Sequence, residues 1–416
     1  MKVVVLGAGV IGVTSAWYLN RAGHEVTVIE RQSGPAFETS FANGGQISAS
    51  HAMPWANPGA PLEILRWLAR ADAPFVFRPR LDWRQWLWGV RFLRECSARR
   101  AQANARRILA LARTSLNELK LLRAETRISY EQSARGILGI YFEPRAFEHA
   151  RREAEWISRE GMPREPRTPA QCVATEPALR NVERRLAGGV FAPADESGDA
   201  FVFSQRLAAQ CASHGVHFRY GCNVRRLAAA AGRIEGIVVV DGAREARVAA
   251  DAYVIAAGGA SALITRPLGL DLPVYPVKGY SVTLPAAAGD AAPLVSLTDE
   301  SHKLVFSRLG NRLRVAGTAE LAGYGTGIDE RKCEGILARV FDLFPQAGER
   351  AAATYWAGLR PATPGNVPIV CATRFPNLFL NTGHGTLGWT LACGSGRLIS
   401  DLVSERSKNG DFAVAG

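Results

Sequence analysis

Three glycines and an acid carry the most specific chemistry in this sequence: Gly7, Gly9 and Gly12, spaced G-x-G-x-x-G, and Glu30, 18 residues after the last of them. In that pattern the first glycine makes a tight turn, the second lets a pyrophosphate approach the backbone, and the third lets a helix pack on a strand. The helix N-terminus then faces the pyrophosphate, and the acid accepts the ribose hydroxyls. The glycines alone are a weak signal, but their setting makes it strong. Val3 to Leu6 reads as a buried strand, Val10 to Arg21 as an apolar-periodic helix that Gly23 can stop, and Glu25 to Glu30 as a second buried strand. An acid rather than an arginine at that strand's end points to an unphosphorylated ribose, hence FAD or NAD over NADP.

Other stretches combine small and polar residues. Ser40 to Ser48 contains Gly44 and Gly45, which permit close approach to a flat ligand; without one it reads as a surface turn. Ala256 to Ala260 follows a buried strand (Ala252 to Ile255) and is either a second meeting of backbone with dinucleotide or a plain strand-to-helix connection. Asn381 to Trp389 follows a strand at Leu378 to Leu380 and feeds a helix reaching about Val403. A glycine-rich loop opening a helix faces electron-rich groups by backbone geometry alone. Arg360, within Gly358-Leu359-Arg360-Pro361, reads on its own as a surface arginine. No obvious Ser/His/Asp arrangement or metal constellation accompanies these stretches, and no metal is expected.

The elements that must position these residues are mixed in kind. Asp82 to Glu125 is the longest helical signal, one helix or two in succession, with Trp86, Val90, Leu93, Ile108, Ala112, Leu116 and Leu119 at three-to-four spacing. Ile137 to Phe142, Gly189 to Phe191, Val216 to Tyr220 and Gly236 to Asp241 read as strands; His149 to Glu160 and Phe203 to Gly215 read as helices. Asp195 to Asp199 is a turn with helix-capping residues. From Pro276 through Lys303 to Phe306, and from Arg312 to Gly317, alternation reads as antiparallel sheet.

With 416 residues, 47% of them hydrophobic, the chain can bury large cores and is expected to hold two interleaved domains. No run approaches eighteen uncharged apolar residues, so no transmembrane helix is expected. With Met1 directly before the glycine motif, no cleaved signal peptide is expected. Seven scattered cysteines without C-x-x-C suit a reducing cytosol. The net charge of +12 is concentrated: Glu63 to Arg127 holds fifteen Arg/Lys against six Asp/Glu, a local net of +9. Such a segment fits nucleic acid, an anionic membrane surface or a solvated helical face. Trp83, Trp86 and Trp88 with neighbouring arginines resemble an interfacial anchor, against core packing with a solvated basic face.

Val3 to Glu30, Phe41 to Gln46, Pro276 to Tyr280, Gly358 to Pro361 and Leu378 to Ser395 together resemble the FAD-dependent D-amino-acid oxidase superfamily, and within it the bacterial D-amino-acid dehydrogenases of the small-subunit type. The resemblance covers essentially the whole chain. It implies an α/β class, α+β overall: a Rossmann-like FAD-binding domain (1–60, 186–275 and 355–416) interleaved with a substrate domain (61–185 and 276–354) of mixed or antiparallel sheet plus helices.

The implied cofactor is non-covalent FAD. Gly7, Gly9, Val10, Ile11 and Gly12, with Glu30 and Arg31, would hold its ADP half. Val224 would meet the adenine through its backbone, and Ala257 and Gly258 would supply the second backbone contact. Asn43, Gly44, Gly45, Gln46, Ile47 and Ser48 would lie along the isoalloxazine. Gly383, His384, Gly385, Thr386, Leu387 and Gly388 would face the flavin pyrimidine, with the last helix dipole stabilising charge at N1 and O2. Arg360 would grip the substrate carboxylate with its fork, and Tyr280 would add a hydroxyl contact. Neither Cys371 nor Cys393 sits in a covalent-flavin context; Cys371 stands where glycine is expected, so repacking near the flavin is expected.

The implied reaction is oxidative deamination of a D-amino acid to 2-oxo acid and ammonia, by hydride transfer from Cα to flavin N5. Electrons would pass to a respiratory-chain acceptor, a quinone or a carrier. The protein would be cytoplasmic and peripheral on the cytoplasmic face of the inner membrane, touching anionic headgroups weakly through the basic segment and binding no nucleic acid. The alternatives are a related flavin amine oxidase acting on glycine, sarcosine or (D-hydroxy)proline, and a catalytically silent dinucleotide-binding protein.

Overall fold

The computed structural model describes residues 1–51, 53–68, 74–242, 244–286 and 291–409. At its centre is the strand Lys2–Leu6, four of whose five residues are buried. It pairs in parallel with Glu25–Ile29 on one side and Ala252–Ile255 on the other. His217–Arg219 and Leu378–Thr382 extend the parallel sheet outward, and Ile369–Ala372 closes one edge antiparallel. A parallel sheet covered on both faces needs apolar residues at successive positions, which is why these strands read as continuous rather than alternating runs. Val3 and Val5 face a core shared with the helices Val10–Arg21, Ala200–Ser213 and Gly388–Asn409. Val4 and Leu6 face the opposite core, covered by an antiparallel sheet of Cys222–Ala230, Arg233–Asp241 and Arg244–Val248.

A nine-stranded sheet makes the second layer system. Its strands run in the order Thr354–Ala362, Tyr275–Pro285, Arg312–Leu321, Leu304–Leu309, Ser296–Asp299, Ile137–Tyr141, Gly188–Ala192 and Glu165–Arg167, with Phe75–Phe77 pairing onto Ala319 to Leu321. Its outer core packs Val282, Phe306 and Val315 against Ile336, Leu337 and Val340 of the helix Glu330–Leu343. Strands Gly188–Ala192 and Thr354–Ala362 pair within this sheet, although most of the neighbouring chain belongs to the cofactor half of the expected division.

The long basic helical segment is two helices, Trp83–Glu95 and Ala98–Thr126, the first capped by the Asp82 carboxylate accepting from the Arg84 N–H. Its aromatics do not share a face. Trp88 and Phe92 are buried in a core with Tyr275 and Leu321, whereas Trp83 and Trp86 are exposed. The final helix runs on to Asn409, past the expected end near Val403. Among the described residues no helix is long and apolar enough to cross a membrane.

Candidate active site

A cavity of about 1490 Å³ runs from the C-terminal ends of the central parallel strands to the inner face of the large sheet. At the strand end, Gly7 adopts φ +101°, and a Cβ there would lie 2.6 Å from the Ala256 carbonyl oxygen. A Cβ on Gly12 would lie 1.8 Å from the Gly7 carbonyl oxygen. Those two glycines are dictated by packing. Gly9 is different: a Cβ would meet only the Ser40 hydroxyl at 3.6 Å, so packing does not demand a glycine there. The Val10 N–H donates to Ser40 Oγ at 3.1 Å, and Ile11 lines the same wall in the helix's first turn.

Glu30 accepts from the N–H of Ala8 (2.7 Å) and of Gln32 (2.9 Å); burial nevertheless pushes its carboxyl pKa up. Each oxygen retains a further lone pair, so acceptance from a ribose hydroxyl stays open. Arg31 pairs with Glu38 at the rim. Val224 lines the cavity where its strand bulges between Val224 and Arg226. Ala257 and Gly258 line it too; Gly258 has φ +52° and nothing within 4 Å of a Cβ position, an open cradle.

The loop from Ala42 to Ser48 is stitched to the large sheet by hydroxyls. Ser281 Oγ donates to the Ala42 carbonyl and Ser307 Oγ to the Gly44 carbonyl, both at 2.7 Å. Gln46 Nε2 donates to the Leu297 carbonyl at 3.2 Å, and the Gly45 N–H to Asn43 Oδ1 at 3.0 Å. A Cβ on Gly44 would come within 2.4 Å of Val305. The Ser48 N–H donates to Thr390 Oγ1. Ile47, Gly12 and Gly383 are not among the residues that line the cavity: Ile47 is buried in the core, Gly12 packs under Gly7, and Gly383 packs against Thr363.

His384, Gly385, Thr386, Leu387 and Gly388 complete that wall at the start of the last helix. His384 Nε2 lies 3.1 Å from Ser395 Oγ, and burial pushes its pKa down to about 3, so the ring is neutral. Its Nδ1 and Asn381 Oδ1 are buried without a partner among the described residues, and both residues line the cavity. Buried polar atoms need partners. With the open cradles at Gly9 and Gly258, these acceptors fit a ligand carrying hydroxyl and imide donors, as FAD does.

Against the large sheet stands Arg360. Its Nη1 donates to the Thr318 carbonyl at 2.7 Å and its Nη2 to the Gly317 carbonyl at 3.4 Å. Thr318 holds a left-handed φ of +58°, strain of the kind found at functional sites. Gly279 makes room for the guanidinium: a Cβ there would sit 2.2 Å from Nη1. No carboxylate joins Arg360 among the described residues, and burial alone pushes its pKa down to about 10. Lys303, which also lines the cavity, pairs with Glu300, and Lys278, which does not line it, pairs with Glu320; Arg360 has no acid partner among the described residues. Tyr280 is buried, with its hydroxyl donating to Glu320 Oε2 at 2.7 Å. Its proton is committed, and any substrate contact has to use the oxygen's lone pair.

Several residues of this site gave no warning in sequence: Ser281, Ser307 and Thr390, and the group of His51, Arg164, Glu153 and Glu300 at the far end of the cavity. Single hydroxyls that meet a backbone group hundreds of positions away leave no local pattern. Cys371, the position where repacking is expected, lies away from the cavity wall. The residue is exposed on the edge strand, and neither it nor the buried Cys393 lines the cavity.

Residues 2–402 match the family model described as FAD dependent oxidoreductase. The chain is 54% identical over 407 residues to a D-amino acid dehydrogenase of Paramagnetospirillum magneticum, covering 98% of this chain and 96% of that one. It is 49% identical over 414 residues to a D-amino acid dehydrogenase of Dechloromonas aromatica, covering 99% of each. The fold resembles that of glycine oxidase from Bacillus cereus, with a TM-score of 0.73 at 21% identity, over 97% of this chain and 95% of that one.

Proposed function

This chain belongs to the FAD-dependent oxidoreductase family, and from that premise we propose that it is a D-amino acid dehydrogenase. FAD, when bound, accepts the hydride from the substrate Cα, and the imine released is hydrolysed to 2-oxo acid and ammonia. The observation that carries the substrate side is Arg360: an uncompensated guanidinium on the cavity wall, held in a glycine-made slot and offering its remaining N–H groups. A carboxylate matches that fork and removes the cost of the unpaired charge.

The roles of the remaining residues follow. Gly9, Val10, Ile11 and Glu30 hold the ADP half, with Arg31 and Val224 at the adenosine rim and Ala257 and Gly258 opposite. Asn43, Gly44, Gly45, Gln46 and Ser48 make one wall for the flavin, and His384 to Gly388 the other. Gly7, Gly12, Ile47 and Gly383 act through packing. Tyr280 accepts from the substrate amine while donating to Glu320. The neutral substrate amine lets hydride leave without a dedicated general base. The cofactor half comprises 1–60, 186–275 and 355–416, and the substrate half 61–185 and 276–354, with two strands of the former completing the large sheet.

The FAD is held non-covalently. Electrons go to a respiratory-chain acceptor, a quinone or a carrier. The protein works in the cytoplasm, peripherally on the cytoplasmic face of the inner membrane, held weakly by exposed Trp83 and Trp86 and their arginine neighbours; Trp88 and Phe92 have no part in this. Glycine, sarcosine and (D-hydroxy)proline are the competing substrates. Reduction of an artificial acceptor with D-alanine, L-alanine, glycine, sarcosine and D-hydroxyproline as donors tests the reading. D-alanine should lead by at least about tenfold; reduction only with sarcosine, glycine or D-hydroxyproline would give the site to the alternative.

A further inference from the structure

Beside Arg360 the cavity floor continues into a hairpin. Strands Ser296–Asp299 and Leu304–Leu309 pair antiparallel, and residues 300 to 303 turn between them. Val305 pairs with Ala316, so the hairpin adjoins the strand whose Gly317 and Thr318 carbonyls hold Arg360. The approach is close: a Cβ on Gly317 would lie 3.0 Å from the Lys303 carbonyl oxygen. The hairpin also meets the loop assigned to the flavin. Gln46 Nε2 donates to Thr298 Oγ1 at 3.1 Å, and Val305 packs where Gly44 lacks a side chain. A substrate held between Arg360 and that loop is therefore one or two strands from the turn.

The turn sets a donor beside an acceptor. Lys303 Nζ donates to Glu300 Oε2 at 2.8 Å, and both residues line the cavity. The Lys303 side chain is half-exposed, and its ammonium keeps two further N–H groups. Glu300 Oε1 has no hydrogen-bond donor among the described residues; His51 Nδ1 stands 4.0 Å away, beyond bonding reach. The charges around the pair are of both signs: Glu63 and Glu153 act on Lys303, and Arg164 acts on Glu300. A carboxylate arriving here meets three glutamates, and an ammonium meets Lys303 and Arg164. A primary amide meets neither penalty, because its N–H donates to Oε1 while its carbonyl accepts from Nζ.

We propose that Glu300 and Lys303 form a side-chain subsite that selects D-amino acids ending in a primary carboxamide, with D-glutamine the best fit. The strand carrying Thr318 and the strand that ends at Glu300 stand two apart in the sheet, about 10 Å. An extended five-carbon amino acid with a hydrogen bond at each end spans about 11 Å. Alanine reaches Arg360 but leaves the turn to water. This rests on the flavin dehydrogenase reading above and adds the residues that recognise the side chain.

The test is anaerobic stopped-flow reduction of the FAD-loaded enzyme by D-glutamine, D-glutamate, D-homoleucine and D-alanine. D-Glutamate and D-homoleucine keep the shape of D-glutamine but carry an acid or an apolar end. D-Glutamine should exceed both by at least about tenfold in apparent second-order rate constant, because each loses a hydrogen bond to a charged group. Glu300→Gln frees the Lys303 charge without changing the side chain's shape. It should raise the ratio of D-glutamate to D-glutamine at least about tenfold, a reversal that lost packing alone would not produce. Lys303→Met should lower the ratio of D-glutamine to D-alanine by a similar factor. Bound FAD per chain reports that the variants fold. D-Glutamine no faster than its two isosteres, or ratios unmoved in either variant, would overturn the subsite. A flavin left oxidised by D-alanine and D-glutamine alike would instead overturn the dehydrogenase reading on which it rests.

Discussion

Replacing Arg360 by alanine separates the two terms that its environment sets against each other. Burial lowers its pKa from 12.5 to about 10. At about 1.4 kcal/mol per unit that is about 3 kcal/mol against the charged form, and about 1–2 kcal/mol after allowing for a side chain that still faces the cavity. The folded apoprotein therefore carries an unpaired charge, and Arg360→Ala should leave its melting temperature unchanged or slightly higher. The substrate should lose about 2–5 kcal/mol of binding, the usual cost of deleting one member of a desolvated charge pair, or about 30- to 5000-fold in apparent affinity. Arg360→Lys should recover only part of this, because a point charge lacks the fork and has to reach past the Thr318 carbonyl. Stopped-flow flavin reduction against D-alanine concentration gives the affinity, and bound FAD per chain gives the control. Unchanged saturation in Arg360→Ala, at full FAD content, would refute the carboxylate assignment and move it to Lys278 or Lys303.

The remaining predictions address the cofactor cradle and one buried acid. Acid precipitation should release the yellow colour into the supernatant; colour kept in the pellet would mean a covalent link. Gly9→Ala should leave the apoprotein's melting temperature within about 1 °C yet weaken FAD, whereas Gly12→Ala should cost about 1–3 kcal/mol of stability or more, because its Cβ would lie 1.8 Å from the Gly7 carbonyl oxygen. Equal loss of stability in the two would contradict the distinction between ligand approach and packing. Asp195, buried beside Ser50, has its carboxyl pKa pushed by desolvation from 3.8 to about 6. A carboxyl that binds its proton more tightly when folded stabilises the fold at low pH, and that contribution disappears as pH rises from about 4 to about 6. The loss amounts to about 3 kcal/mol. Denaturant titrations across that window should show Asp195→Asn with a flatter profile than wild type; parallel profiles would place the proton elsewhere.

Legibility in the sequence followed the range of the interactions. The strand, turn and helix from Lys2 to Arg21 are specified by neighbours, so their bounds could be read to within a residue. The helix Glu330–Leu343 carries an equally local signal, with Cys333, Ile336, Leu337 and Val340 at helical spacing behind an Asp329 cap. Placement of strands is another matter. That Thr354–Ala362 pairs with Tyr275–Pro285, carrying Arg360 opposite Val277, depends on register between segments some eighty positions apart. The same limit hid Ser281 and Ser307, whose hydroxyls fasten the Ala42 to Gln46 loop. Burial also divided what composition grouped together: four aromatics of one basic segment became two core residues and two exposed ones, because a helix turns about 100° per residue.

The central claim, a flavin that takes electrons from a D-amino acid gripped at Arg360, is tested most directly by anaerobic mixing of the purified yellow protein with D-alanine. The flavin absorbance near 450 nm should bleach fully in wild type, while L-alanine leaves it unchanged, and the D-alanine concentration needed should rise at least about thirtyfold in Arg360→Ala. A flavin that stays oxidised with every D-amino acid tried, or that bleaches equally with both enantiomers, would contradict the account.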